Sequence, residues 1–206
     1  MLSQTELDGV IAFHGHFCPG LAFGIRVGEW AVREFGRAED EEIVAVVESD
    51  MCAVDAIQYL VGCTFGKGNF IFLDYGKNAY SFFRRSDGKG CLAGVPAARL
   101  MTRGGLLLDL REQENLLAAD DTEGRDRIRQ LMIERVMQSD FETIFSVGPA
   151  QIALPEKARI HKSIPCDACG ELTMETRILC NPEMTGGRNL CVPCSKLFGR
   201  STGIQE

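Results

Sequence analysis

At 206 residues and 45% apolar content, the chain suits one domain of ordinary size plus a small appendage. No apolar run approaches the roughly 18–20 residues of a membrane span, and the start, "MLSQTELDGVIAFHGH", has neither a basic n-region nor an apolar h-region, so a cytoplasmic location is expected. The formal charge of −7 disfavours nucleic acid, whose phosphates demand a basic surface.

The first informative stretch is "FHGHFCPGLAFGIRVG", residues 13–28. An extended His14–Cys18 segment would project His14, His16 and Cys18 from one face, and Gly15 would let them converge. Residues 20–36 read as a helix with Pro19 at its start, where a missing N–H costs nothing. Cys18 then sits at the N-cap, where the partial positive charge favours thiolate. Two imidazoles and a thiolate make a soft metal site with an open position. The plainer alternative is a structural histidine and a small buried thiol. Gly20, Gly24 and Gly28 recur every four residues, and each costs a helix interior about 1 kcal/mol. Such a stripe suggests close approach by another backbone, for example that of a partner subunit.

Further along, "IVAVVES" (43–49) reads as a buried strand and "AVDAIQYLVG" as a short helix closed by Gly62. Around that helix the stretch "ESDMCAVDAIQYLVGCTFGKGN" supplies Asp50, Cys52, Asp55, Cys63, Lys67 and Asn69. "GCTFGKGN" fails as a phosphate loop, because Val61 stands where glycine is needed and Gly68 where Ser or Thr is needed. It remains a glycine-rich loop whose N–H groups, with Lys67, would suit a small anion; a plain tight turn is the other reading. "NFIFLDYGKNAYSFFRR" alternates on both sides of "GKN" and predicts a hairpin centred on residues 76–78. "GLLLDL" reads as a strand. "TEGRDRIRQLMIERVMQSD" is an amphipathic helix with Ile128, Leu131, Met132 and Val136 on one face. Helices and strands interleave without a strict βαβ rhythm, which points to an α+β or mixed-sheet domain.

The nine cysteines form two groups: Cys18, Cys52, Cys63 and Cys91, then Cys166, Cys169, Cys180, Cys191 and Cys194. An odd count in a chain with no secretory signal fits metal ligation or thiol chemistry better than disulfides. The thiol-free gap and the Pro-flanked "LPEKARIHKSIP" place a boundary near residues 156–164, giving domains 1–158 and 159–206. "CDACG" and "CVPC" are two C-x₂-C knuckles separated by 21 residues. Together they complete a tetrahedral zinc shell of Cys166, Cys169, Cys191 and Cys194. A closed Cys₄ site is structural, and a unit this small needs such a staple. Cys180 and His161 are spare donors, Cys180 being the replacement if the register differs. The segment carries five Lys/Arg and five Asp/Glu from Ile160 onward, so it reads as a docking or dimer-bracing module.

Together these stretches, with "DYGKNAYSFFRR" and the tail "LPEKARIHKSIPCDACGE…CVPC", resemble the FmdE-like family of formylmethanofuran dehydrogenase subunits. The resemblance implies a mixed sheet of thioredoxin-like character flanked by helices, a C-terminal zinc unit of ribbon or treble-clef type, and a homodimer. It also implies a cleft with His14, His16, Cys18 and Cys63 at its polar centre and Asp50, Cys52, Asp55 and Lys67 around it. Nothing in the chain resembles a molybdopterin or ferredoxin-like domain. It is therefore at most a subunit or associate of the molybdenum or tungsten enzyme of methane metabolism. The reading preferred is an accessory metalloprotein whose His/Cys cleft takes a second metal or a small anionic ligand. Two alternatives remain: a thiol enzyme with Cys18 or Cys63 as nucleophile or redox centre, and a zinc-module regulator or docking factor.

Overall fold

The computed structural model describes residues 2–87 and 97–201, so Cys91 lies outside the described residues. The chain divides into two compact units, one ending at Ala158 and the other beginning at Arg159.

In the first unit, α1 (Gln4–His14) opens on a capping box in which Ser3 and Glu6 satisfy each other's backbone N–H groups. Gly15 closes it in the left-handed conformation, φ 96°. The chain then passes through His16 and Phe17 to α2 (Pro19–Phe35). β1 (Ile43–Val47) leads into α3 (Ala53–Val61), followed by β2 (Phe70–Phe72), β3 (Ala79–Arg84) and β4 (Ala97–Thr102). α4 (Leu108–Asn115), α5 (Thr122–Gln138) and α6 (Phe141–Ile144) precede β5 (Phe145–Pro149). The five strands form one mixed sheet in the order β2-β1-β3-β4-β5, in which only the neighbours β1 and β2 are parallel.

The expected hairpin is not formed. β1 separates its two arms, pairing Val47 with Phe72 on one edge and with Tyr80 on the other. All five β1 residues are buried, so both edges need partners. The "GKN" turn carries the chain over the end of β1, where Lys77 N–H donates to the Glu48 carbonyl. "GLLLDL" is a turn into α4 rather than a strand. Leu107 and Leu110, one helical turn apart, are buried while Leu108 is exposed. In α5, Ile128, Met132 and Val136 face the core as expected, but Leu131 is 44% exposed and Ile133 fills its place.

The main core lies between one sheet face (Ala45, Val47, Tyr80, Phe82, Leu100) and α2, α3 and α5. α1 packs outside that layer, with Val10 joining Leu21, Ile25, Ala56 and Leu60. The opposite sheet face buries Val44, Val46 and Phe83 under Ala150, Ile152 and Leu154 of the segment that leaves β5. Arg85 holds that segment through the carbonyls of Pro155 and Glu156. The same face carries a buried ion pair, Arg99 Nε to Glu48 Oε1 at 2.6 Å and the second nitrogen to Oε2 at 2.8 Å.

The second unit has two short hairpins, β6 (Ser163–Pro165) with β7 (Leu172–Met174) and β8 (Ile178–Leu179) with β9 (Leu190–Cys191). α7 (Pro182–Thr185) and α8 (Val192–Ser201) complete it. Its apolar core is small: Cys166, Leu190 and Cys191, with Ile178, Cys194 and Phe198 against them.

Candidate metal centres

The first centre is built where two helices begin. Cys18 is the N-cap of α2 and accepts the Leu21 N–H at 3.3 Å. Cys52 occupies the same position on α3. The two helices approach closely because α2 presents glycine there. A Cβ on Gly24 would fall 2.5 Å from Ala53 Cα, and one on Gly20 would lie 3.1 Å from Cys52 Cβ. Gly28 faces Leu60 in the same way. The glycine stripe therefore answers α3 of the same chain, not a second copy.

α1 delivers the third donor. His14 is its last residue, so the segment before Gly15 is helical and not a strand end. His14 Nε2 lies 3.8 Å from Cys18 Sγ, and its Nδ1 is 2.7 Å from Asp55 Oδ2 on the first turn of α3. The donor atoms of His14, Cys18 and Cys52 all lie within 4.8 Å of one another and can hold a metal ion. The group differs by one member from the expected ligand set. His16 lies beside His14, ring centroids 4.6 Å apart and tilted by 36°, but is exposed and outside the group, because the turn at Gly15 redirects the backbone. Cys52, expected only at the periphery, takes its place. Asp55 is bonded to the histidine rather than presented to a ligand. Burial, then the adjoining Cys18, push the Cys52 thiol above its ordinary value.

Three other expected members do not join. Cys63 is fully buried in the main core with its thiol on the Ile43 carbonyl, and burial pushes it up to about 12. Its side chain packs among apolar neighbours of the main core. Lys67 lies beyond the far end of α3, its ammonium 3.5 Å from the Glu39 carbonyl and its N–H on Thr64. Two of the loop amides are used inside the turn, Gly68 N–H on the Phe65 carbonyl and Thr64 N–H on Asn69 Oδ1. Asp50 is exposed on the turn before α3 and outside the cluster.

The second centre assembles as the spacing predicts: the sulfurs of Cys166, Cys169, Cys191 and Cys194 lie within 4.8 Å of one another. Backbone N–H groups of Cys191, Cys169 and Ala168 pull Cys166 down to about 6. Its neighbours push Cys194 up to about 12. Crowding of the four sulfurs opposes their joint ionisation, which a bound dication would favour. Cys180 bonds to the Gly187 carbonyl and His161 faces Glu175, so neither spare donor enters the shell.

An α+β domain that gathers one imidazole and two thiols at paired helix starts, followed by a Cys₄ unit, defines a class of small two-unit proteins with two sets of soft metal donors. Within that class, the chain belongs to the FmdE family, described by its association with the molybdenum formylmethanofuran dehydrogenase operon; the family's model matches residues 13–146. A relative from Archaeoglobus fulgidus, described as a probable S-adenosyl-L-methionine-binding protein, is 34% identical over 175 residues. That alignment covers 81% of this chain and 48% of the relative, so the chain spans about half the length of the curated protein it matches. The crystal structure of an FmdE-like protein of tungsten formylmethanofuran dehydrogenase type, from Syntrophus aciditrophicus, matches with a TM-score of 0.58 at 22% identity. The match covers 93% of this chain and 90% of that one, a likeness of fold. Among the described residues no helix is long and apolar enough to cross a membrane.

Proposed function

We propose that this protein is an accessory metal-binding member of the FmdE family, with a transition metal held at the first centre and structural zinc at the second. One observation carries the reading: His14, Cys18 and Cys52 place three soft donors within 4.8 Å while Asp55 fixes the remaining ring nitrogen of His14. A carboxylate on the distal nitrogen of a ligating imidazole sets its tautomer and raises its basicity. One nitrogen and two sulfurs suit zinc or a neighbouring soft transition metal, and three protein ligands leave a position for a small anionic ligand. A metal held there would act as a Lewis acid toward that ligand; the chain's own part is to orient the donors. The name of the Archaeoglobus relative makes S-adenosyl-L-methionine a second ligand to test.

We assign zinc of treble-clef type to Cys166, Cys169, Cys191 and Cys194. The support is a first knuckle beside a short hairpin and a second knuckle entering a helix. The thioredoxin-like reading of the sheet rests on β2-β1-β3-β4, of which β3 alone runs against the other three. In the cell we place the protein in the cytoplasm as a homodimer serving a molybdenum or tungsten formylmethanofuran dehydrogenase; the family description supports only the association with such an operon. Metal analysis tests the core of this reading: two equivalents per chain are expected, and one equivalent confined to the tail would overturn it.

A second reading has its own observation. Asp55, His14 and Cys18 stand in the order carboxylate, imidazole, thiol, with the thiol at a helix N-terminus, which is also an arrangement for a nucleophilic cysteine. Selective alkylation of Cys18 in metal-replete protein at neutral pH would favour it; protection of Cys18 by metal would favour the first.

A further inference from the structure

No C-x-x-C pair exists in the first unit, yet the fold makes a dithiol from cysteines 34 positions apart. The sulfurs of Cys18 and Cys52 lie within 4.8 Å of each other, and both fall within 3.8 Å of the point where Gly20 would carry a Cβ. Glycine at position 20 puts no Cβ at that point, where a side chain would crowd both sulfurs. A disulfide requires the sulfurs to come to about 2 Å, a movement within reach of side-chain rotation. Among the other described thiols of the first unit, Cys63 is turned away into the core, its sulfur on the Ile43 carbonyl.

We propose that Cys18 and Cys52 are a modification site, closed to an intramolecular disulfide by a peroxide, and that closure expels the metal of the first centre. The inference rests on the metal reading above only for the expulsion. In the first step the Cys18 sulfur attacks one peroxide oxygen, the O–O bond breaks, and the departing hydroxide leaves as water with the thiol proton. The Cys52 sulfur then attacks the resulting sulfenic sulfur, the S–O bond breaks, and a second water carries away its proton. Two sulfurs lose one electron each and the two peroxide oxygens gain them. A dithiol reductant reverses the change, returning two hydrogens to the pair and becoming a disulfide itself. Because the metal ligand is thiolate sulfur, closure removes two of three donors at once. His14 alone, even oriented by Asp55, cannot retain the ion.

The test uses the full chain, once stripped by a chelator and once loaded with zinc. Each sample is treated with hydrogen peroxide, alkylated and digested with trypsin. The expected product in stripped protein is a cross-link between the peptides ending at Arg26 and Lys67, reversed by dithiothreitol. It should persist in Cys63→Ala, which removes the other thiol of the second peptide, and vanish in Cys52→Ser. In zinc-loaded protein, closure should be slower and should release one zinc equivalent, with tail thiols followed on their own peptides. Stable sulfenic or sulfinic acid on Cys18 without a cross-link, or a link to Cys63, would overturn the dithiol even if zinc binds. A cross-link that forms equally fast with and without zinc, releasing none, would overturn the expulsion and count against metal at the first centre, while the dithiol would stand.

Discussion

Asp55 hydrogen-bonds His14 Nδ1 and so decides how that ring presents its outer nitrogen. Replacing it with asparagine keeps the shape and removes the charge. We expect Asp55→Asn to weaken metal at the first centre by about 10–100-fold and to leave the tail's metal untouched, as read by competition with a chromophoric chelator. A different residue governs stability in acid. Arg99 hydrogen-bonds the Glu48 carboxylate and holds it below its ordinary value, and both side chains are only 9% exposed. A carboxylate lowered in the folded state adds stability above its unfolded pKa near 4.5. That stability drains as pH falls through the folded value. Urea unfolding of wild type should therefore weaken steeply below about pH 4.5, and Glu48→Gln should flatten that limb. At pH 7 the same variant should lose about 3–5 kcal/mol, because it strands the Arg99 guanidinium. A flat acid limb in wild type would refute the assignment.

At the scale of elements, the first centre depends on α2 and α3 meeting at their starts. Gly24→Ala should improve helix propensity and still destabilise the protein by about 1–3 kcal/mol, since its methyl meets the Ala53 backbone. The same push displaces Cys52, so first-centre metal affinity should fall with it. Gly66→Ala, with no neighbour within 4 Å, should change neither. Equal unfolding midpoints for the two variants would contradict this packing. The elements also show what the sequence made legible. α2, β1, α3 and α5 follow from caps and periodicity, and the Cys₄ shell follows from spacing, because those signals are local. β4 is not among the elements those signals mark, and the expected hairpin does not form because adjacency across a sheet is set by long-range partners: β1 needs two edges filled, which alternation in 70–84 does not reveal. α1 was readable from the S-x-x-E box at Ser3 and Glu6, and reading it would have removed the strand-end geometry for His14. Cys52 as a ligand had only one clue, that it begins a helix as Cys18 does. Cys63 gave none, since burial is a property of the assembled core.

Taken whole, the molecule joins a unit held by an apolar core to a unit whose apolar core is a few side chains around four sulfurs. Their dependence on metal should differ accordingly. Chelation at neutral pH should unfold residues 159–201 while leaving the first unit's amide exchange and unfolding midpoint nearly unchanged, apart from the turn at His14. Protection of the tail surviving full metal removal would show that it needs no ion. The central claim is narrower: one imidazole and two thiols at paired helix starts form a metal site independent of that tail. Elemental analysis of purified wild type against His14→Ala tests it most directly. The account predicts about two metal equivalents per chain falling to about one, with the Cys166–Cys194 shell still filled; an unchanged metal content in the variant would contradict it.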